Sequence, residues 1–203
     1  MKFLAVITAR AGSKRLKNKN LTLLNKKPLI YWTIKQAKNI SEIKKIIIST
    51  DSKKILKTSK KYGLNTNWLR PKKIAKSNST SEEVVKHAYL KEKEKGFDAD
   101  AIMLLQPTSP FRNLKLIKKA IKIFKKSPEI TLISVSKMKH QNKILILAKK
   151  KLSLMKNKKK VFLPNGSIFI INSKQALKTK NYLEKKLNFI VFDKVKENID
   201  IDT

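Results

Sequence analysis

The chemistry in this chain starts in one basic loop. Ala9-Arg-Ala-Gly-Ser-Lys-Arg-Leu-Lys-Asn-Lys-Asn20 holds Gly12, Ser13 and five cations, Arg10, Lys14, Arg15, Lys17 and Lys19. Glycine lets backbone amides curl around an anion, and the cations add charge for a phosphate chain. The spacing is not that of a P-loop, which needs a second glycine followed by Lys-Ser/Thr, and Gly-x-Gly-x-x-Gly is absent. A basic surface loop would have the same composition, so on its own the segment leaves both readings open.

Asp200-Ile-Asp202 has period two, which in a strand puts both carboxylates on one face. Two acids side by side in so basic a chain suit a hard cation such as Mg²⁺, or else attract nearby lysines. Ser49-Thr50-Asp51 reads either as a ligand contact or as a strand end with Asp51 capping the next helix. Arg70, before Pro71, reads as a surface ion pair or as a site residue. Gln106-Pro-Thr-Ser-Pro-Phe-Arg112 reads as a rigid turn or a ligand loop. His87 reads as surface or packing, and His140 has no partner at metal-ligand spacing.

Composition excludes other chemistries. The chain has 203 residues, 41% of them hydrophobic, enough for a core in a single domain over 1–203. It has no cysteine, hence no disulfide scaffold, thiolate metal site or thiol nucleophile. Five-residue apolar runs such as 101–105 and 144–148 are too short to span a membrane, and residues 3–7 are too short for a signal sequence. A cytoplasmic protein is expected. The formal net charge of +35 points towards nucleic acid, yet four of the 49 basic residues are arginines and the rest lysines. Nucleic-acid interfaces favour arginine, so the excess reads as solvated lysine faces rather than a nucleic-acid surface.

Strands are expected at 2–8, 45–50, 65–69, 101–105, 130–135 and 167–171. Helices are expected at 29–38, 53–62, from the Thr80–Glu83 capping box to near Gly96, at 114–126 and near 174–177. Residues 189–192 and 198–202 read as short extended segments. Residues 137–163 read as irregular and very basic. Alternating strands and helices predict an α/β fold, a mostly parallel sheet flanked by helices, with ligands at the carboxyl ends of the strands.

In sequence order, the motifs resemble the acylneuraminate cytidylyltransferase family, which makes CMP-activated nonulosonic acids. The resemblance runs from Phe3 to Thr203. It is carried by the Ala9–Asn20 loop, Lys27-Pro-Leu-Ile30, Ser49-Thr-Asp51, Leu69-Arg-Pro71, Leu105–Arg112, Pro164-Asn-Gly166 and Ile199–Thr203. It implies a nucleotidyltransferase-type sandwich, Rossmann-like, usually a homodimer, with a β-rich arm near 137–165 exchanged between subunits. It implies that Arg10, Ser13, Lys14 and Lys19 hold the CTP phosphates, with Arg10 and Lys19 catalytic. It further implies that Asn20, Arg70 and Ser81 hold cytosine and ribose, that Gln106 and Asn165 meet the acceptor sugar, and that Asp200 and Asp202 bind Mg²⁺. The reaction implied is attack of the sugar's anomeric hydroxyl on the α-phosphorus, with pyrophosphate leaving. A legionaminic, pseudaminic or 3-deoxy-octulosonic acceptor is the alternative within this chemistry. A basic nucleic-acid-binding protein on a nucleotide-binding fold is the alternative outside it.

Overall fold

A computed structural model describes residues 1–13, 15–137, 145–148, 151–154, 161–178, 181–183 and 186–201. Ten strands and five helices follow one another along these residues. The first half holds β1 (Phe3–Thr8), β2 (Leu23–Leu24), β3 (Lys27–Pro28), α1 (Leu29–Lys38), β4 (Ile43–Ser49), α2 (Lys53–Lys61), α3 (Ser81–Lys93) and β5 (Ala101–Leu105). The second holds α4 (Leu114–Lys126), β6 (Thr131–Lys137), β7 (Leu145–Ala148), β8 (Lys151–Leu154), β9 (Phe162–Asn172), α5 (Ser173–Lys178) and β10 (Leu187–Phe192).

Six strands form one sheet in the order β10-β6-β9-β5-β1-β4. β1 pairs parallel with β4 and β5, and β6 pairs parallel with β10. β9 runs antiparallel to both β5 and β6, so five strands share one direction and one opposes them. The start of β9 therefore lies at the same edge as the carboxyl ends of the other five.

Alternation sorts the core. Phe3, Ala5 and Ile7 of β1 face Ile30, Ile34 and Ala37 of α1 and Ile117, Ile121 and Phe124 of α4. Leu4 and Val6 face Val85, Ala88 and Tyr89 of α3 and Ala176 of α5. Helix ends follow local chemistry. Ser52 caps α2, and Asn113 caps α4 through Lys115 N–H at 2.9 Å. The expected capping box is present on α3: Glu83 N–H donates to Thr80 Oγ1 at 3.2 Å, and Thr80 N–H to Glu83 Oε2 at 3.1 Å.

Three expectations change. Residues 65–69 form no strand; a single hydroxyl, Thr66 Oγ1, accepts Ile48 N–H at 3.0 Å where a ladder would run. Residues 195–198 form a 3₁₀ turn, and Asp200 lies beyond it outside any ladder, so strand alternation does not set its direction. Asp202 and Lys14 lie outside the described residues. Within 137–165, Lys137 closes β6 and Phe162 opens β9, while β7 and β8 pair as an antiparallel hairpin in the stretch read as irregular. His140 falls outside the described residues. Among the described residues no helix is long and apolar enough to cross a membrane.

Candidate active site

A cleft of about 490 Å³ opens at the carboxyl edge of the sheet, within the size range of small-molecule sites. The loop after β1 supplies Arg10, Ser13, Lys19 and Asn20 to its wall. Arg70, Ser81, Gln106 and Asp200 join them from four other segments. Eight of the eleven expected site residues therefore meet in one place. Asn165 does not line the cleft, and Lys14 and Asp202 are not described.

Backbone bonds fix the basic loop. Ala9 N–H donates to the Ser49 carbonyl at 3.0 Å, and Ala11 N–H to Asp51 Oδ1 at 2.8 Å. Asp51 thus ties down the loop, while Ser52 caps α2 through Ile55 N–H. Asn20 is buried and donates from Nδ2 to the Arg10 carbonyl at 3.0 Å, closing the loop on itself. Asn18 sits left-handed at φ 56°, which turns the chain into the 3₁₀ turn opened by Lys19.

Arg70 is buried rather than a surface ion pair. Its backbone N–H donates to the Thr50 carbonyl at 2.7 Å, and Nη2 donates to the Ser49 carbonyl at 2.5 Å. Its Nε is buried and finds no partner among the described residues. Burial pushes its pKa down to about 10; Asp51 opposes that shift and Arg10 adds to it. Ser81 begins α3, whose N-terminal end adds partial positive charge to the cleft wall.

The described lining carries five cations, Arg10, Arg15, Lys19, Arg70 and Lys76, and one carboxylate, Asp200. That balance suits a polyanion such as a nucleoside triphosphate. Ile201 N–H donates to the Thr108 carbonyl at 2.8 Å, holding the segment of Asp200 against the loop after β5. No group of three or more His, Asp or Glu side chains gathers for a metal among the described residues. Mg²⁺ needs only one or two protein carboxylates when phosphates and water complete its shell, so Asp200 is a donor of the right kind.

Asn165 belongs to a network instead. Its Oδ1 accepts from Ser134 Oγ at 2.5 Å and Ser167 N–H at 3.1 Å, and its Nδ2 donates to Ser136 Oγ at 3.0 Å. This joins the start of β9 to β6. Reading the sequence alone assigned no role to Arg112, which is 3% exposed and bonds to α1, β9 and the loop after β5. Its rarity, as one of four arginines in a lysine-rich chain, was the available signal.

The family model for cytidylyltransferases matches residues 4–201. The chain belongs to the cytidylyltransferase family. The CMP-N,N'-diacetyllegionaminic acid synthase of Legionella pneumophila is 35% identical to this cytidylyltransferase over 214 residues, covering 100% of this chain and 92% of the relative. The N-acylneuraminate cytidylyltransferase of Escherichia coli O18:K1:H7 is 33% identical over 212 residues, covering 99% of this chain and 49% of the relative. The chain thus spans most of the first and about half of the second. Among solved structures, a CMP:2-keto-3-deoxy-manno-octonic acid synthetase complexed with CTP superposes with TM-score 0.70 at 15% identity, over 95% of this chain and 90% of that one. The 4-diphosphocytidyl-2C-methyl-D-erythritol synthase of Anaerococcus prevotii gives 0.69 at 18%, over 99% and 90%. Both carry the same fold as this cytidylyltransferase.

Proposed function

We propose that the chain transfers CMP from CTP to the anomeric hydroxyl of a nonulosonic acid, with release of pyrophosphate. The observation that carries this reading is the cleft itself, where the loops after β1 and β5, the connection from α2 to α3 and the start of α3 bring five cations and Gln106 together around one carboxylate, Asp200, beyond β10. The Legionella and E. coli relatives, named for legionaminic and N-acylneuraminic acid, support the acceptor class.

The chemistry asks little covalent work of the protein. Arg10, Ser13, Lys14 and Lys19 hold the phosphates, and Arg10 and Lys19 balance charge on the transferring and leaving oxygens. Asn20, Arg70 and Ser81 hold base and ribose, while Gln106 orients the acceptor so that its hydroxyl lies in line with the α-phosphorus. Asn165, held beside the cleft by Ser134 and Ser136, supports the acceptor side. Asp200 and Asp202 are the residues that would hold Mg²⁺, which supplies positive charge to phosphate oxygens when bound.

We further propose a cytoplasmic homodimer that exchanges the 137–165 arm; the exposed Leu163 within that arm and the exposed Phe189, packed on Phe162, support the dimer. Exposed lysines stand on α1, α2, α3 and α4 alike rather than in one stripe, which favours the enzyme over a nucleic-acid-binding protein. The test is pyrophosphate release from CTP with a panel of sialic, legionaminic, pseudaminic and 3-deoxy-octulosonic acids. Release with at least one of them, and with CTP in preference to UTP, is expected. Failure with every acceptor would overturn the reading.

A further inference from the structure

Arg112 is a buried cation held wholly by neutral oxygens among the described residues. Its Nε donates to the Ser167 carbonyl at 2.6 Å and the Ser167 hydroxyl at 3.2 Å. Its Nη1 donates to Gln36 Oε1 at 2.7 Å and Thr33 Oγ1 at 3.5 Å, and its Nη2 to the Gln106 carbonyl. Burying a charge among dipoles costs stability, so the arrangement calls for an account of what it holds. The oxygens come from α1, from β9 and from the first residue of the loop after β5. Gln36 then reaches back, donating from Nε2 to the Pro110 carbonyl at 2.6 Å and the Arg112 carbonyl at 3.1 Å. The far end of the 106–112 loop is thereby pinned to α1, and its first residue is tied to that end through Arg112.

The opposite side of Gln106 is shaped by a missing atom. Gly166 sits at φ 66°, and a Cβ there would lie 2.9 Å from Gln106 Oε1 and 3.4 Å from its Cδ. The Gln106 amide therefore rests on the backbone of β9 at a residue where a Cβ would push it aside and where only glycine adopts the turn without strain. Ser167, the next residue, takes the Arg112 Nε bonds, so one side chain links the bed to the loop that lies on it.

We propose that Arg112 and Gly166 are positioning residues for the acceptor sugar, fixing the Gln106 side chain from its carbonyl on one side and from the β9 backbone on the other. This rests on the reading above that Gln106 meets the acceptor. Neither residue lies in the nucleotide-holding set of Arg10, Lys19, Arg70 and Ser81, so their loss falls on the acceptor and not on CTP.

Two variants test it. Lysine in Arg112→Lys cannot span the Ser167, Gln36 and Gln106 oxygens at once, and Gly166→Ala places a methyl where the Gln106 amide rests. The expected result is a fall in acceptor kcat/KM of about 10–100-fold, as small misplacements of a reactant produce, with the KM for CTP unchanged. A second readout needs no turnover: the side-chain amide of Gln106, one of four glutamines, in the ¹⁵N spectrum of the free protein, assigned by its loss in Gln106→Glu. It shifts in both variants while that of Gln175 stays. An unmoved Gln106 amide, or equal damage to the acceptor and CTP constants, would overturn the proposal. If the wild type accepts no nonulosonic acid, the proposed function falls and the amide spectrum alone decides the role of Arg112 and Gly166. If Arg112→Lys does not fold, Gly166→Ala decides.

Discussion

Lys19 opens a 3₁₀ turn on the wall of the cleft, where five cations face one carboxylate. Lys19→Ala is expected to lower transfer by about 10²–10³-fold, the usual cost of one charge-assisted contact to a developing anion. Circular dichroism should show the fold intact, and turnover near the wild-type rate would remove Lys19 from the phosphate site. Asp200 has a second duty at this scale. Its charge favours the cationic form of Arg112, against burial, which pushes that guanidinium down to about 9. Asp200→Asn should abolish Mg²⁺-dependent release and also lower the melting temperature, because Arg112 loses the one supporting charge found among the described residues. Asp202→Asn should abolish release without that loss of stability. Equal melting temperatures for the two variants would contradict this division. Arg112 itself was hidden in the sequence for a plain reason: its partners Ser167, Gln36 and Thr33 lie 55, 76 and 79 residues away. Spacing reveals local geometry, and a bond that closes only after the whole sheet forms leaves no local trace.

At the level of elements, α3 carries two separable stabilising devices. Its capping box satisfies the first amides, and Thr80→Ala is expected to cost about 1 kcal/mol and to raise the KM for CTP, since Ser79, Thr80 and Ser81 line the cleft. A changed melting temperature with an unchanged KM would detach the cap from the site. At the other end Glu92 is 2% exposed, accepts from Trp68 Nε1 at 2.7 Å and pairs with Lys45 of β4 at 2.6 Å. Burial pushes its carboxyl up, but the bonds from Lys45 and Trp68 and the charges of Lys45 and Lys95 outweigh it, and the pKa lies below the usual value. A depressed folded pKa gives stability that is present above the ordinary carboxylate range and lost as the pH falls through the folded value. The melting-temperature gap between wild type and Glu92→Gln should therefore be full at pH 7, about 2 kcal/mol in effect, and close in strong acid. A gap independent of pH would show that the charge contributes nothing. The elements themselves were largely legible: α1, β5 and α4 run over the residues that periodicity and capping indicate. Residues 65–69 were not: they form no ladder, and the contact they make with β4 is a side-chain bond, from Ile48 N–H to Thr66 Oγ1, which no local pattern announces.

Over the whole molecule, 49 basic residues face 14 acidic ones, and like charges on every helix repel at low ionic strength. Added salt screens that repulsion, so the melting temperature should rise between about 10 mM and 0.5 M NaCl, as the Debye length shrinks from about 30 Å to a few ångströms. A fall would mean that surface ion pairs dominate instead. Much of the cleft was readable from sequence because Arg10 to Asn20 and Gln106 sit in loops at strand ends, which the α/β pattern places on one edge. The reversed strand was not, since the pattern of apolar residues carries no direction. That strand has a consequence for synthesis on the ribosome. β5 and β6 lie either side of β9 and cannot meet until residues 162–172 have left the exit tunnel. The emerging polypeptide can close β4, β1 and β5 with α1, α3 and α4, since Ile117, Ile121 and Phe124 pack on β1, while β6 waits for both of its strand neighbours, β9 and β10. The half that carries the basic loop and Arg70 is thus assembled first, and Gly166 with Ser167, beside Gln106 and Arg112, arrives as the wedge that joins the two halves. A chain held with its last exposed residue before 162 should resist protease through α4 and be cut within 131–137.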